Sequence, residues 1–144
     1  MNKISIKNLQ KKIKINSRKL KTLANNVLRS RGIDSGELSI VLVDDPQITD
    51  LHKRYLNKNS PTDVLAFRMS DGEFGKINPQ ILGDVILSVE TAQSQASRLK
   101  LSIESEVNLY LIHGILHLLG FSDKTKLEFK QMKKMQEELM ERYA

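Results

Sequence analysis

The sequence predicts an α+β protein: a single domain over residues 1–144, with a small mixed β-sheet of about four strands packed with about five helices. Two observations support this prediction. Apolar residues alternate or cluster in short, strand-length segments and recur at helical spacing in longer ones, with caps and turn residues between them. With 144 residues, 40% of them hydrophobic, the chain can fill one core and leaves little room for a second domain.

Four segments have the patterning of β-strands. Ile4 and Ile6 alternate with polar residues, as on a half-buried strand. Residues 37–43, 63–69 and 81–88 are rich in apolar side chains, and a glycine-containing loop separates the last two. We expect these segments to form the sheet.

Two helices are expected in the first half of the chain. Asn16 or Ser17 can cap the first helix, and Gly32 ends it. Asp45 is the expected cap of the second helix, with Pro46 at its first position. The apolar stripe of the first helix consists of Leu20, Leu23, Ala24, Val27 and Leu28.

Three more helices are expected in the second half. Ser88 can cap one, and Ser102 caps the next, which runs to Leu119 and is apolar nearly all round. A helix of that kind is buried, so we expect it at the centre of the domain. Thr125 and Glu128 have capping-box spacing before the last helix. The expected inner side of that helix carries Phe129, Met132, Leu139 and Tyr143.

The central helix carries His113 and His117 one turn apart, so both imidazoles project from one face and can share a metal ion. Gly114 costs about 1 kcal/mol relative to alanine in mid-helix, which indicates a close approach by another group. Gly120 lets the chain turn back, so that Asp123 can supply a third ligand. The alternative is a pair of core histidines satisfied by hydrogen bonds, but the spacing favours a metal site.

The absence of cysteine excludes disulfides and leaves imidazole and carboxylate to bind a metal. This donor set suits one zinc ion per chain, although another divalent transition metal would fit. Three protein ligands leave a fourth position for water, whose pKa a catalytic zinc lowers to about 7. Zinc proteases place a glutamate general base directly after the first histidine. Gly114 stands there instead, so phosphoester chemistry is favoured over peptide hydrolysis.

Basic residues are concentrated near the N-terminus. Ten of the 23 Lys and Arg residues lie within residues 1–33, and all 17 acidic residues follow them. This basic lobe favours a polyanion such as RNA, although a lysine-rich face that is only solvated is the alternative. The residues expected to bind RNA are Lys11, Lys12, Lys14, Arg18, Lys19 and Lys58.

The chain shows no sign of a membrane segment. No run approaches the roughly 18 apolar residues of a span, and the N-terminus lacks the apolar stretch of a signal peptide. We therefore expect a soluble, cytoplasmic protein.

Two aspartates near the expected strands each have two interpretations. Asp63 either orients backbone groups at a cleft or caps a turn. Asp84 interrupts an apolar strand, where it either hydrogen-bonds a metal-binding histidine or faces solvent.

Three motifs occur together in this chain: "PTDVLAF" at 61–67, "LGDVILS" at 82–88 and "HGILHLLGF" at 113–121. In this order and spacing they resemble the YbeY family of bacterial rRNA maturation factors, from about residue 37 to the end. The resemblance implies a metal-dependent endoribonuclease that cleaves single-stranded RNA, matures the 3′ end of small-subunit rRNA and acts in ribosome quality control. It also implies the small ribosomal subunit and an associated GTPase as partners.

The third ligand departs from the family pattern, since Asp123 stands where the family has a histidine. An aspartate oxygen coordinates zinc at about 2.0–2.2 Å. Its negative charge lowers the net charge of the site and should make bound water less acidic. We therefore expect activity that is weaker or needs a higher pH.

A second departure is Leu56, which stands where the family has an arginine thought to be catalytic. A cation stabilises a phosphoryl transition state, and Arg54, Lys58 or Arg68 could supply it, although each could instead be a surface or phosphate-positioning residue.

Two functions remain possible for this chain. One is a metal-dependent RNA hydrolase in which the three ligands act through metal-bound water. The other is a ribosome-binding assembly factor whose metal is structural or vestigial.

Overall fold

The computed structural model describes residues 1–56, 63–68 and 80–144, which form a mixed four-stranded sheet and five helices. The predicted α+β class is confirmed. The strands are β1 (Lys3–Asn8), β2 (Glu37–Val43), β3 (Val64–Arg68) and β4 (Ile81–Ser88). The helices are α1 (Ser17–Ser30), α2 (Asp45–Leu56), α3 (Val89–Leu99), α4 (Ile103–Leu118) and α5 (Lys126–Tyr143).

The sheet has the strand order β1-β2-β4-β3. β1 and β4 each pair in parallel with β2, whereas β3 runs antiparallel to β4 at the edge. Successive residues of a strand point to opposite faces. Val85 therefore faces α4, and Ile86 joins a smaller apolar cluster with Ile48 of α2. One face of the sheet is covered by α2, and the other by α4 and the helices packed around it.

α4 lies in the larger core, as its apolar sequence predicts, and packs against α1, α3, α5, β3 and β4. Gly114 makes this packing possible, because a Cβ there would lie 2.6 Å from Cγ1 of Val85 and 3.1 Å from Cγ2 of Val64. The close approach inferred from this glycine is therefore between α4 and the sheet. Neither α4 nor any other helix in the described ranges has the length and apolarity to cross a membrane.

Side chains cap four helices where the sequence predicts. Asn16, Ser88, Ser102 and Thr125 each accept a hydrogen bond from the backbone N–H three residues later. The Thr125 hydroxyl also donates to Glu128 Oε1 at 3.0 Å, so the two residues with capping-box spacing are joined through their side chains.

The predicted cap of α2 is wrong by one residue. Asp44 Oδ1 accepts from the backbone N–H of Gln47 at 2.9 Å, and Gln47 Oε1 accepts from the backbone N–H of Asp44 at 3.0 Å. This reciprocal pair is a capping box. Asp44 therefore caps the helix, and Asp45 is its first residue.

The predicted inner side of α5 is also wrong at one position. Met132 and Leu139 are buried, and Tyr143 is packed against the core, but Phe129 is 53% exposed. Phe129 is about 60° around the helix from Met132, at the margin of the buried stripe. Its ring therefore lies largely in solvent.

Candidate metal centre and family

His113 and His117 lie in the last two turns of α4. Their ring centroids are 4.5 Å apart, and their Nε2 atoms are 3.0 Å apart. After the helix, Gly120 has a φ of +100°, which L side chains rarely adopt, and its N–H donates to the His117 carbonyl at 3.1 Å. The chain turns back at this point and brings Asp123 to the histidines, as predicted.

The three side chains can hold one metal ion. One ligand atom of each lies within 4.8 Å of the others. Two nitrogens bound to a tetrahedral zinc are about 3.3 Å apart, close to the 3.0 Å between the Nε2 atoms of His113 and His117. Asp123 Oδ2 lies 3.9 Å from His117 Nε2, somewhat more than the separation of two ligand atoms on a tetrahedral zinc. Two imidazoles and one carboxylate fit zinc and other divalent transition metals.

A hydrogen bond outside the cluster holds each imidazole. His113 Nδ1 contacts Oε1 of Gln136 on α5, and His117 hydrogen-bonds the backbone of Phe121. Such partners fix the orientation of a metal-binding ring. Burial lowers the pKa of His117, the neighbouring His113 lowers it further, and Asp123 opposes the shift. The neutral ring that a metal requires is thus favoured.

The cluster lies in an open cleft of about 500 Å³ between α4, β3 and the segment that follows α4. Asp63 lines this cleft, and its Oδ1 accepts from the Val64 N–H at 2.8 Å. Arg68 and Lys124 also line it and add two cations. The cleft therefore offers both candidate metal ligands and positive charge to an anionic substrate.

Two other predicted site residues lie elsewhere, and a third is not described. Asp84 is on the sheet face opposite α4, where its carboxylate hydrogen-bonds Ser39 and burial raises its pKa. Strand alternation turns it away from the histidines, so its predicted bond to one of them is wrong. Arg54 pairs with Asp50 at 3.3 Å and is not among the described residues of the cleft. Lys58 lies outside the described residues.

The basic N-terminal lobe includes cations at the other end of α4. Lys19 pairs with Glu104 at 3.6 Å, and Glu104 is about 14 Å along the helix axis from His113. Lys12 pairs with Glu90 at 3.1 Å. RNA binding by this lobe stays a prediction, and three of its cations already have acidic partners, since Arg29 also pairs with Asp34 at 3.7 Å.

Sequence reasoning misses two residues of the site, Gln136 and Lys124. Gln136 lies on a separate helix, so no local spacing relates it to His113. Lys124 follows Asp123 directly, and that adjacency is the signal that could have identified it.

The fold and the cleft define a class of protein: small α+β domains with an open cluster of two histidines and one aspartate at the end of a central helix. The sequence model of the family described as Endoribonuclease YbeY matches residues 5–144. The chain belongs to this family, which confirms the resemblance seen in its motifs.

Individual relatives agree with this assignment. The Endoribonuclease YbeY of Syntrophus aciditrophicus (strain SB) is 38% identical over 138 residues, covering 94% of this chain and 86% of the relative. That of Aquifex aeolicus (strain VF5) is 44% identical over 111 residues, covering 77% and 72%. A Thermotoga maritima protein solved in solution superposes with a TM-score of 0.60 at 26% identity, covering 96% of this chain and 89% of that one.

Proposed function

We propose that this chain is a metal-dependent endoribonuclease that cleaves single-stranded RNA, in maturation of the small-subunit rRNA 3′ end and in ribosome quality control. The observation that supports this proposal is the His-His-Asp cluster in an open cleft of a YbeY family member. Zinc is the proposed metal, at one ion per chain. The small ribosomal subunit and a ribosome-associated GTPase are the proposed partners, and the cytoplasm is the proposed location.

The protein's part in this chemistry is to hold the ligands and the substrate. A bound zinc ion would supply a Lewis acid and lower the pKa of a coordinated water to about 7. His113 and His117 would bind through Nε2, since their rings are held by Gln136 and by the Phe121 backbone. Asp123 would add a carboxylate oxygen, whose negative charge makes the water less acidic than three histidines would.

Two cations in the cleft are proposed to bind the scissile phosphate. Arg68 and Lys124 line the same cleft as the candidate ligands. Charge-assisted hydrogen bonds to phosphate oxygens stabilise the charge that develops there in the transition state. These residues would therefore take the role of the family's arginine, for which this chain has Leu56.

The test is cleavage of an end-labelled single-stranded RNA by the purified protein and by His117→Ala, with chelator and with zinc restored. Asp34→Ala is the matched control, since Asp34 is an exposed aspartate that pairs with Arg29 away from the cleft. We expect cleavage by the wild type and by Asp34→Ala that chelator abolishes and zinc restores, and none by His117→Ala. Equal cleavage by wild type and His117→Ala would indicate a contaminant and refute the proposal.

A non-catalytic assembly factor with a structural or vestigial metal is the second candidate. The departures at Leu56 and Asp123 favour it, because each changes a residue to which the family pattern assigns chemistry. It predicts no cleavage by any variant, together with RNA or ribosome binding that survives His117→Ala.

A further inference from the structure

α5 carries an exposed aromatic ring near the candidate metal centre. Phe129 is 53% exposed, and no aromatic or cationic partner lies on its ring among the residues described. Tyr55, which is also strongly exposed, differs because its ring packs edge-on against Phe67 with centroids 5.3 Å apart. A single exposed apolar residue is common, so its position on the helix decides what it means.

That position links the ring to the metal centre. Phe129, Lys133 and Gln136 have the spacing i, i+4 and i+7 and so lie in one stripe along α5. Phe129 is about 10 Å along the helix axis from Gln136. Because Gln136 contacts His113, the stripe ends at a candidate metal ligand.

The lysines around this stripe form no ion pairs with the acidic residues that the structure describes. Lys126 and Lys130 precede Lys133 at helical spacing on the same side of α5, and Lys124 lines the cleft. Over residues 1–56, 63–68 and 80–144, none of these four lysines forms an ion pair, whereas two lysines of the N-terminal lobe do. Positive charge beside the cleft is therefore available for phosphate groups.

An exposed ring beside lysines that have no ion-pair partner in the described part of the chain suits one kind of occupant. Proteins bind single strands by stacking bases on aromatic side chains and by contacting phosphates with lysine or arginine. We propose, on the premise of the proposed function, that Phe129 and Lys133 form a platform that holds single-stranded RNA beside the metal centre. Phe129 stacks on an unpaired base, and Lys133 binds a backbone phosphate. A duplex keeps its base faces stacked inside, so this platform selects unpaired RNA.

The same helix supplies matched controls. Leu127→Ala removes a more exposed apolar side chain, at 66%, from the opposite side of α5. Lys134→Ala removes the same charge as Lys133→Ala from the adjacent position, outside the stripe. All these residues are exposed, so none of the four variants should lower Tm appreciably.

The experiment measures fluorescence anisotropy of a labelled single-stranded oligoribonucleotide in chelator, which keeps the strand intact. We expect Phe129→Ala to weaken binding about 5- to 150-fold, the equivalent of about 1–3 kcal/mol for one stacked base, and Phe129→Trp to restore it. Lys133→Ala should reduce the salt dependence by about one phosphate contact. Leu127→Ala and Lys134→Ala should have smaller effects, and binding of a blunt duplex should not respond to Phe129→Ala.

The outcomes separate this platform from the proposed nuclease activity, which is measured on the same wild-type sample. Loss of binding in Phe129→Ala without wild-type cleavage supports the platform and rejects the nuclease. Wild-type cleavage with equal binding by Phe129→Ala and Leu127→Ala supports the nuclease and overturns the platform. Equal weakening of single-stranded and duplex binding in Phe129→Ala also overturns it, as does a wild type that binds no RNA.

Discussion

Replacing Gly114 by alanine tests the packing that positions the histidines. The new methyl carbon would lie 2.6 Å from Cγ1 and 3.2 Å from Cγ2 of Val85, and 3.1 Å from Cγ2 of Val64. Val85 is fully buried, and its branched side chain has few rotamers to choose from. Either Val85 or α4 must therefore move.

Two opposing effects set the size of the change. Overpacking a core costs about 1–3 kcal/mol, whereas alanine is about 1 kcal/mol better than glycine in a helix interior. We therefore expect Gly114→Ala to lower the free energy of unfolding by up to about 2 kcal/mol. For a domain of this size, each 1 kcal/mol lowers Tm by roughly 3 °C.

A double-mutant cycle with Val85→Ala, followed by urea unfolding, isolates the steric effect. With Val85 truncated, the nearest clash disappears and only the helix preference of alanine and the looser contact with Val64 remain. Gly114→Ala should then become neutral or stabilising. The same loss of stability in both backgrounds would refute the close approach, and so would a gain of stability in the wild-type background.

The remaining predictions concern the metal ligands and the folded state. Asp123→His restores a neutral third ligand and should shift the rise of the pH–rate profile for RNA cleavage to lower pH; an unmoved profile would argue against Asp123 as a ligand. Gln136→Leu removes the partner of His113 and should weaken zinc about 10- to 100-fold in a competition titration with a chromophoric chelator, and unchanged affinity would contradict the orienting role. Lys100 ends α3 with φ +57° and ψ +40°, so Lys100→Gly should stabilise by about 1 kcal/mol in urea unfolding, whereas an equal gain from Lys100→Ala would contradict the strain argument. Burial raises the pKa of Asp84 in the folded protein above its value in the unfolded chain. The free energy of unfolding therefore falls as pH rises from the unfolded pKa to the folded pKa. Asp84→Asn should therefore raise Tm at pH 7, with a gain that disappears below about pH 3.9, and a gain that persists in acid would show that charge is not the cause.

Features set by local spacing were predictable from the sequence. A one-turn separation fixes His113 and His117 on one face, and a mid-helix glycine indicated the close approach that Val85 makes. The cap of α2 shows that a capping residue must be identified together with its partner three positions later. Asp44 and Asp45 both suit a cap, but only Asp44 has Gln47 three residues later, which is the capping-box spacing.

Features set by contacts between distant segments were not predictable. Gln136 meets His113 only because α5 packs on α4, and the sequence does not fix that pairing. Asp84 meets Ser39 because β4 lies beside β2 in the sheet, although β3 is its neighbour in the chain. The exposure of Phe129 likewise depends on which elements cover the margin of α5.

The most direct test of the central claim is to measure bound zinc and RNA cleavage in the same samples while metal is returned to chelator-treated protein. The His-His-Asp cluster predicts that the cleavage rate rises in proportion to bound zinc and levels off at one ion per chain, with neither zinc nor cleavage in His117→Ala. Cleavage that is independent of bound zinc, or wild-type protein that binds one zinc ion without cleaving RNA, would contradict a metal-dependent nuclease.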